Sequence, residues 1–480
     1  MPETKSATCW HGCSFFRSAG ADASIKGVDG APDAQTESPR RRRVDLATAH
    51  RRKSVDALAM YAFVALGLPD GMLGTAWPSV RHSFDVPLED LGVVLLAGTV
   101  GAVALSAVSG LVIARLGIAR TVMLGGAVAA LGALGLLASP VFWTFVLAGA
   151  AIGLAAALID GSINSAIALA GRNRLLNLVH GSYGIGTTVG PLVVTAAVLA
   201  VSWRPAYGFL FVADISLVAG WWLAGRHVAG SPSPTDGVPA AGASPVAPPP
   251  VAATQVAAAQ VAAAPAEPGP GAPRPATRLT RVRLVTVVAL GLIVFMVYTG
   301  FEASAGQWAA SFDRGPLRLG AAATGLSTFG YWGALTLARF GLAVPRRRIA
   351  PLAVVRWGCA IAVLGAALVW WRPDTVVALL GLVIIGGALA GVFPALVALT
   401  PERVGEEMAR HVIGWQIGAA WIGGAGISAV FGVVFQHYGL KDFGPALMVV
   451  AVLLIIGSVA LERAAPPASP GRTAALVASR

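Results

Sequence analysis

Twelve long apolar runs, separated by short charged connections and one Ala/Pro-rich stretch, constrain this chain more than any other feature. They lie at approximately 55–80, 88–113, 119–139, 141–170, 175–202, 206–226, 283–311, 317–343, 349–371, 374–400, 406–436 and 441–463. Each holds roughly 20 residues or more, enough at about 1.5 Å per residue to cross about 30 Å of hydrocarbon. Backbone in lipid must satisfy its own polar groups, so each run predicts a helix; a spanning β-barrel needs ~10-residue alternating segments, and none occurs. Only 12% of residues are charged and 56% are hydrophobic, against about 25% charged in a soluble domain. The expected fold is therefore all-α, with 12 transmembrane helices as two six-helix bundles.

Charge sets the orientation. The basic clusters Arg40 to Arg43 and Arg51 to Lys53, then Arg115, Arg120, Arg172, Arg174, Arg226, Arg278, Arg281, Arg283, Arg346 to Arg348, Arg403, Arg410 and Arg463 fall on one side of twelve alternating spans. The other side carries only Arg81, Arg204, Arg314, Arg318, Arg372 and Lys441. Lys and Arg mark cytoplasmic connections. Both termini are thus expected in the cytoplasm of a cell-membrane protein. The net charge of +12 has its explanation in topology, and no nucleic-acid partner is expected. Residues 1–54 read as a disordered basic tail, 55–228 as an N-terminal bundle, 229–282 as an Ala/Pro-rich cytoplasmic linker, 283–463 as a C-terminal bundle and 464–480 as a short tail. Proline at the density of SPSP, APPP and EPGPGAPRP prevents helix in the linker. The tail has no signal-peptide order. Cys9, His11 and Cys13 lack a second ligand pair, so no metal site is expected there. A monomer in the lipid bilayer is expected.

The halves resemble each other. GLPDGMLGTAW (67–77) in the first span and TGFEASAGQW (299–308) in the seventh both place a carboxylate four residues before a glycine, with tryptophan beyond. YGIGTT (183–188) and WQIGAA (415–420) match in the fifth and eleventh, as in a parallel repeat. Ionisable groups within spans are expensive and face the bundle interior or a wet cavity. Asp70 and Glu302 are candidate substrate acceptors or proton sites. Asp160 and Asn164, four residues apart, share a helical face. Asn177, His180 and Tyr183 form a polar and aromatic stripe suited to a polyhydroxy ligand, and Gln307, Trp308 and Gln416 offer the same chemistry in the second half. Asp214, between apolar neighbours, reads as structural. No GxxxxGK[ST] loop or nucleophile elbow is present, so neither ATP drive nor enzyme activity is expected. The expected energy source is a proton gradient, with no cofactor.

GLVIARLGIAR (110–120) resembles the cytoplasmic signature of the major facilitator superfamily through Arg115, Gly117 and Arg120, with Ala114 in place of the usual aspartate. ARFGLAVPRRR (338–348) is similar to its second-half counterpart and keeps Arg339. The resemblance implies gating roles for Arg115, Arg120 and Arg339. GLPDGMLGTAWP, LIDGSINSAI, NLVHGSYGIGTTVGP, TGFEASAGQW and LTPERVG look most like the fucose permease-like branch, the fucose/galactose/glucose:proton symporters. That likeness implies sugar recognition and protonation at Asp70 and Asp160. GTTVGP (186–191) also fits part of the fifth-span motif of drug antiporters, although Asn177 replaces an expected glycine. Two readings follow: proton-coupled uptake of a small polar solute by alternating access, or proton-driven efflux. The site is expected between spans 1, 4, 5, 7, 10 and 11.

Overall fold

The structure, a computed structural model, describes residues 39–106, 109–170, 172–226, 281–343 and 349–465. All regular secondary structure among them is helical: α1 (Pro39–Phe84), α2 (Asp90–Ser106), α3 (Ser109–Leu116), α4 (Ile118–Ala138), α5 (Phe142–Leu169), α6 (Asn173–Ala200) and α7 (Arg204–Arg226) in the first half. The second half holds α8 (Arg281–Arg314), α9 (Ala321–Ala343), α10 (Pro351–Trp371), α11 (Thr375–Leu389), α12 (Val392–Ala398), α13 (Thr400–Val404), α14 (Glu406–Tyr438) and α15 (Phe443–Ala464).

Ten helices among the described residues are long and apolar enough to cross a bilayer, and the pair Asp90–Leu105 and Ser109–Leu116, turned by 55°, makes an eleventh. The twelfth expected segment is α9. It has the length, 23 residues, but Thr324, Ser327, Thr328, Thr336 and Arg339 leave it too polar to count with the others. The outer surface identifies the solvent. Leu147 and Leu337 are 71% and 73% exposed, as are many other large apolar side chains, and only lipid tolerates such a face.

Two boundaries differ from the sequence reading. Residues 39–54, expected as disordered tail, are helical and continue into the first span. The stretch is rich in Arg and free of glycine, which favours helix once a span propagates into it. The seventh span begins at Arg281, so the last two expected linker residues are helical. Cys9, His11, Cys13 and the remainder of the linker lie outside the described residues.

Within the first half, α4 packs on α5 and α7, and α2 on α5; within the second, α8 packs on α14, and α10 on α11 and α15. Between the halves, α6 packs on α9 and α2 on α14. On the side carrying the 169–173 connection, Arg172 clamps Asp56 of α1 with both guanidinium nitrogens, one at 2.6 Å. That hydrogen bond raises the Arg172 pKa above its ordinary value.

Candidate substrate and proton site

α1 and α6 run in contact because both present glycines. A Cβ at Gly186 would stand 2.1 Å from the Val64 carbonyl oxygen, an overlap no side chain survives. This approach brings Tyr183 of α6 to Asp70 of α1, and the phenol donates a short hydrogen bond to Asp70 Oδ2. One helix away, on α5, Asn164 Nδ2 donates to Asp160 Oδ1 at 2.8 Å, as the four-residue spacing requires. Asn164 is fully buried, and its Oδ1 has no hydrogen-bond partner. His180 of α6 packs edge-on to Phe63 at 5.2 Å and lies within the electrostatic reach of Asp160 and Arg339.

The second half supplies the opposing charge. Arg339 of α9 pairs with Glu302 of α8, its Nη2 standing 3.2 and 3.1 Å from the two carboxylate oxygens. Tyr298, four residues before Glu302 on the same face, donates a short hydrogen bond to Oε2. Tyr331 of α9 donates to the Glu302 backbone carbonyl at 2.7 Å. The group is anchored on a broken helix. α11 ends at Leu389 and α12 begins at Val392, and Pro394 has no N–H to offer the Ala390 carbonyl. Arg339 Nε turns to that carbonyl at 3.4 Å, and the Tyr298 hydroxyl shares its one hydrogen between Glu302 and the Leu389 carbonyl, 3.0 Å away. Irregular backbone at such depth is tolerated where protein groups satisfy it.

The two groups meet. Tyr183 lies within the electrostatic influence of Asp70, Glu302 and Arg339. Thr336 Oγ1 donates to the Gly184 carbonyl at 2.9 Å and stands 3.0 Å from Thr188 Oγ1, which pins α9 to α6 beside them. Gln307 Nε2 donates to the Asp70 backbone carbonyl at 3.0 Å, pinning α8 to α1.

Several expected residues lie elsewhere. Trp308 is fully buried, donates to the Ser428 carbonyl at 3.0 Å and stacks edge-on with Phe435 at 5.2 Å. It packs α8 on α14 and lines no site. Gln416 accepts from Thr400 at 3.1 Å and borders a crevice with Arg403 and Gly291 too tight to hold a water, inside the second half and away from the seam. The eleventh span therefore brings no expected ligand residue to the cluster. Asn177 falls within α6, and its side chain lies outside the described residues. Asp214 is buried, and its Oδ2 has no hydrogen-bond partner, so it does not pair across helices through that atom.

Arg339 requires a correction. Expected at a cytoplasmic gate, it lies inside α9 and turns inward to Glu302, because an ion pair offsets the cost of a charge at that depth. α9, absent from the expected site walls, supplies Arg339, Tyr331 and Thr336. Tyr298 was legible from its four-residue offset to Glu302; Tyr331, placed only by packing, was not.

The model of the Major Facilitator Superfamily matches residues 59–428. The chain belongs to that superfamily. It is a multi-pass membrane transporter and not an enzyme. Solved structures agree on the fold. A point mutant of the nucleoside transporter NupG is 15% identical with a TM-score of 0.63, over 86% of this chain and 99% of its own. A point mutant of the E. coli fucose:proton symporter FucP is 14% identical with a TM-score of 0.52, over 86% and 98%. The proton:xylose symporter XylE is 11% identical with a TM-score of 0.58, over 87% and 96%. No curated protein matches in sequence. The superfamily signature between the second and third spans sits on the turn from α3 to α4. Gly117 adopts φ 75° there, a left-handed conformation that other residues rarely take, and Arg115 and Arg120 on either side are exposed.

Proposed function

We propose that this transporter carries a small polar solute, of the sugar or nucleoside class, by alternating access coupled to protons. The observation that carries this reading is the convergence of three acids on one arginine at the seam. Glu302 pairs with Arg339, Tyr183 holds Asp70 beside that pair, and His180 lies within the electrostatic reach of both Asp160 and Arg339. Protonation of Glu302 releases the Arg339 guanidinium to face Asp160 or substrate hydroxyls. Loss of that proton to the cytoplasmic side returns Arg339 to Glu302 and ejects the substrate. Tyr183, only partly buried, supplies an apolar face against which a ring can stack, and Asn164 retains a free acceptor. Motif likeness to the fucose permease-like branch supports the sugar class, and the nucleoside transporter NupG, the fucose:proton symporter FucP and the proton:xylose symporter XylE, similar in fold, handle solutes within the proposed range. The basic ends face the cytoplasm of a cell membrane, Arg115 and Arg120 flank the gate, and the protein works as a monomer.

Purified protein in proteoliposomes with a lumenal pH dye tests the reading against a panel of sugars and nucleosides. At least one compound should draw protons inward with it, and Asp70→Asn, Asp160→Asn and Glu302→Gln should each cut that flux at least tenfold. Intact flux in all three variants sinks the site. Proton movement opposite to a drug-like compound favours the efflux reading.

A further inference from the structure

α8 carries a second acid that the central cluster does not use. Asp313, one residue from the end of the helix, is fully buried, and neither carboxylate oxygen has a hydrogen-bond partner. Ser327 of α9 lies beside it, outside bonding geometry. The hydroxyls of Ser327, Thr324 and Ser311 are buried and unpartnered as well. Among the described residues charged groups abound at this end, yet none compensates Asp313. Arg314 and Arg318 are exposed, Arg372 lies over the Phe312 ring at 5.7 Å and donates to the Lys441 carbonyl, and Asp374 caps α11. His437 and Lys441 point to the surface, and Asp442 is only half-buried. An ionised carboxylate without a partner is the costliest group to bury, so this pocket accommodates the neutral acid.

The pocket lies between α8 and α9, the two second-half helices that face α1 and α6. α8 meets α1 through Gln307, and α9 meets α6 where Gly325 abuts Thr195. At the same end, Leu88 N–H donates to Gln436 Oε1 across the seam at 2.8 Å. Opening this end draws α8 and α9 away from α1 and α6 and admits water to the pocket.

We propose that Asp313 is a proton-binding site whose occupancy holds this end of the transporter closed, and whose dissociation to water accompanies opening. The inference rests on the alternating-access reading. It adds a proton site separate from the central acids. Because closing binds one proton, the open-to-closed ratio rises with pH by up to about tenfold per unit.

Spin labels on His82→Cys in α1 and Tyr438→Cys in α14, with Cys9, Cys13 and Cys359 replaced by serine, report the distance across this end in nanodiscs between pH 5 and 9. A long-distance population should grow with pH. Asp313→Asn and Asp313→Ser should both abolish that growth and hold the short distance, while Asp313→Glu should keep the response. An unchanged response in both neutral variants, or an open population in them at low pH, overturns the Asp313 assignment alone. A single distance at every pH, with and without Asp313, overturns the alternating-access reading with it. Closure at high pH on adding sodium ions in place of choline would replace the proton with a metal cation and overturn the proposal.

Discussion

At the scale of single residues, the chemistry of the cluster depends on charges that neutralise one another. Glu302 and Arg339 are 15% and 29% exposed as side chains, so each shields the other from an environment poor in water. Removing one leaves its partner unpaired. Glu302→Gln and Arg339→Gln should each destabilise the protein by about 1–3 kcal/mol, read as a lower melting temperature in detergent. The double variant should recover much of that loss, since no lone charge remains. Losses that simply add would dissolve the pair as an energetic unit. Asp70 and Glu302 were legible in the sequence because a carboxylate within an apolar run is rare. The arginine was legible too, but its place was not. Arg339 lies next to a basic connection in sequence, and only the packing of α9 against α8 turns it inward.

At the scale of elements, the decisive contact is between α1 and α6. A side chain at Gly186 meets the Val64 carbonyl, whereas one at Gly418 of α14 meets nothing within 4 Å. Gly186→Val should therefore push α1 from α6, break the Tyr183 to Asp70 hydrogen bond and lower the yield of folded protein several-fold in size-exclusion profiles. Gly418→Ala should be silent or slightly stabilising, since alanine is the better helix former. Equal damage from both would remove close approach as the reason for the fifth-span glycines. The small-residue pattern was visible in both helices, yet composition alone could not separate a contact face from an open one. The break between α11 and α12 was likewise present in Gly391 and Pro394. That its stranded carbonyls are taken by Tyr298 and Arg339 depends on three helices meeting.

At the scale of the whole molecule, one end is sealed by α2 against α14 and by α1 and α6 against α8 and α9. A Cβ at Gly432 would stand 3.0 Å from Glu89 Cα, closer than a disulfide's Cβ atoms sit, so the two backbones need only part slightly to admit a bridge. Glu89→Cys with Gly432→Cys should cross-link on oxidation, stop turnover, and regain it on reduction. Turnover that continues while cross-linked would mean that this end does not open. The sequence by itself determined what any solvent-exposed or lipid-exposed pattern determines: helical spans, their repeat in two halves, and the rare acids set into them. Those follow from the cost of bare backbone and lone charge in hydrocarbon, which acts locally and leaves its mark in composition and spacing. Tertiary structure alone decided the partners, because a hydrogen bond or ion pair between residues 113 positions apart, as with Asp70 and Tyr183, has no local signature. It moved Trp308 and Gln416 out of the site, brought Arg339 in, and left Asp313 buried without a counter-charge.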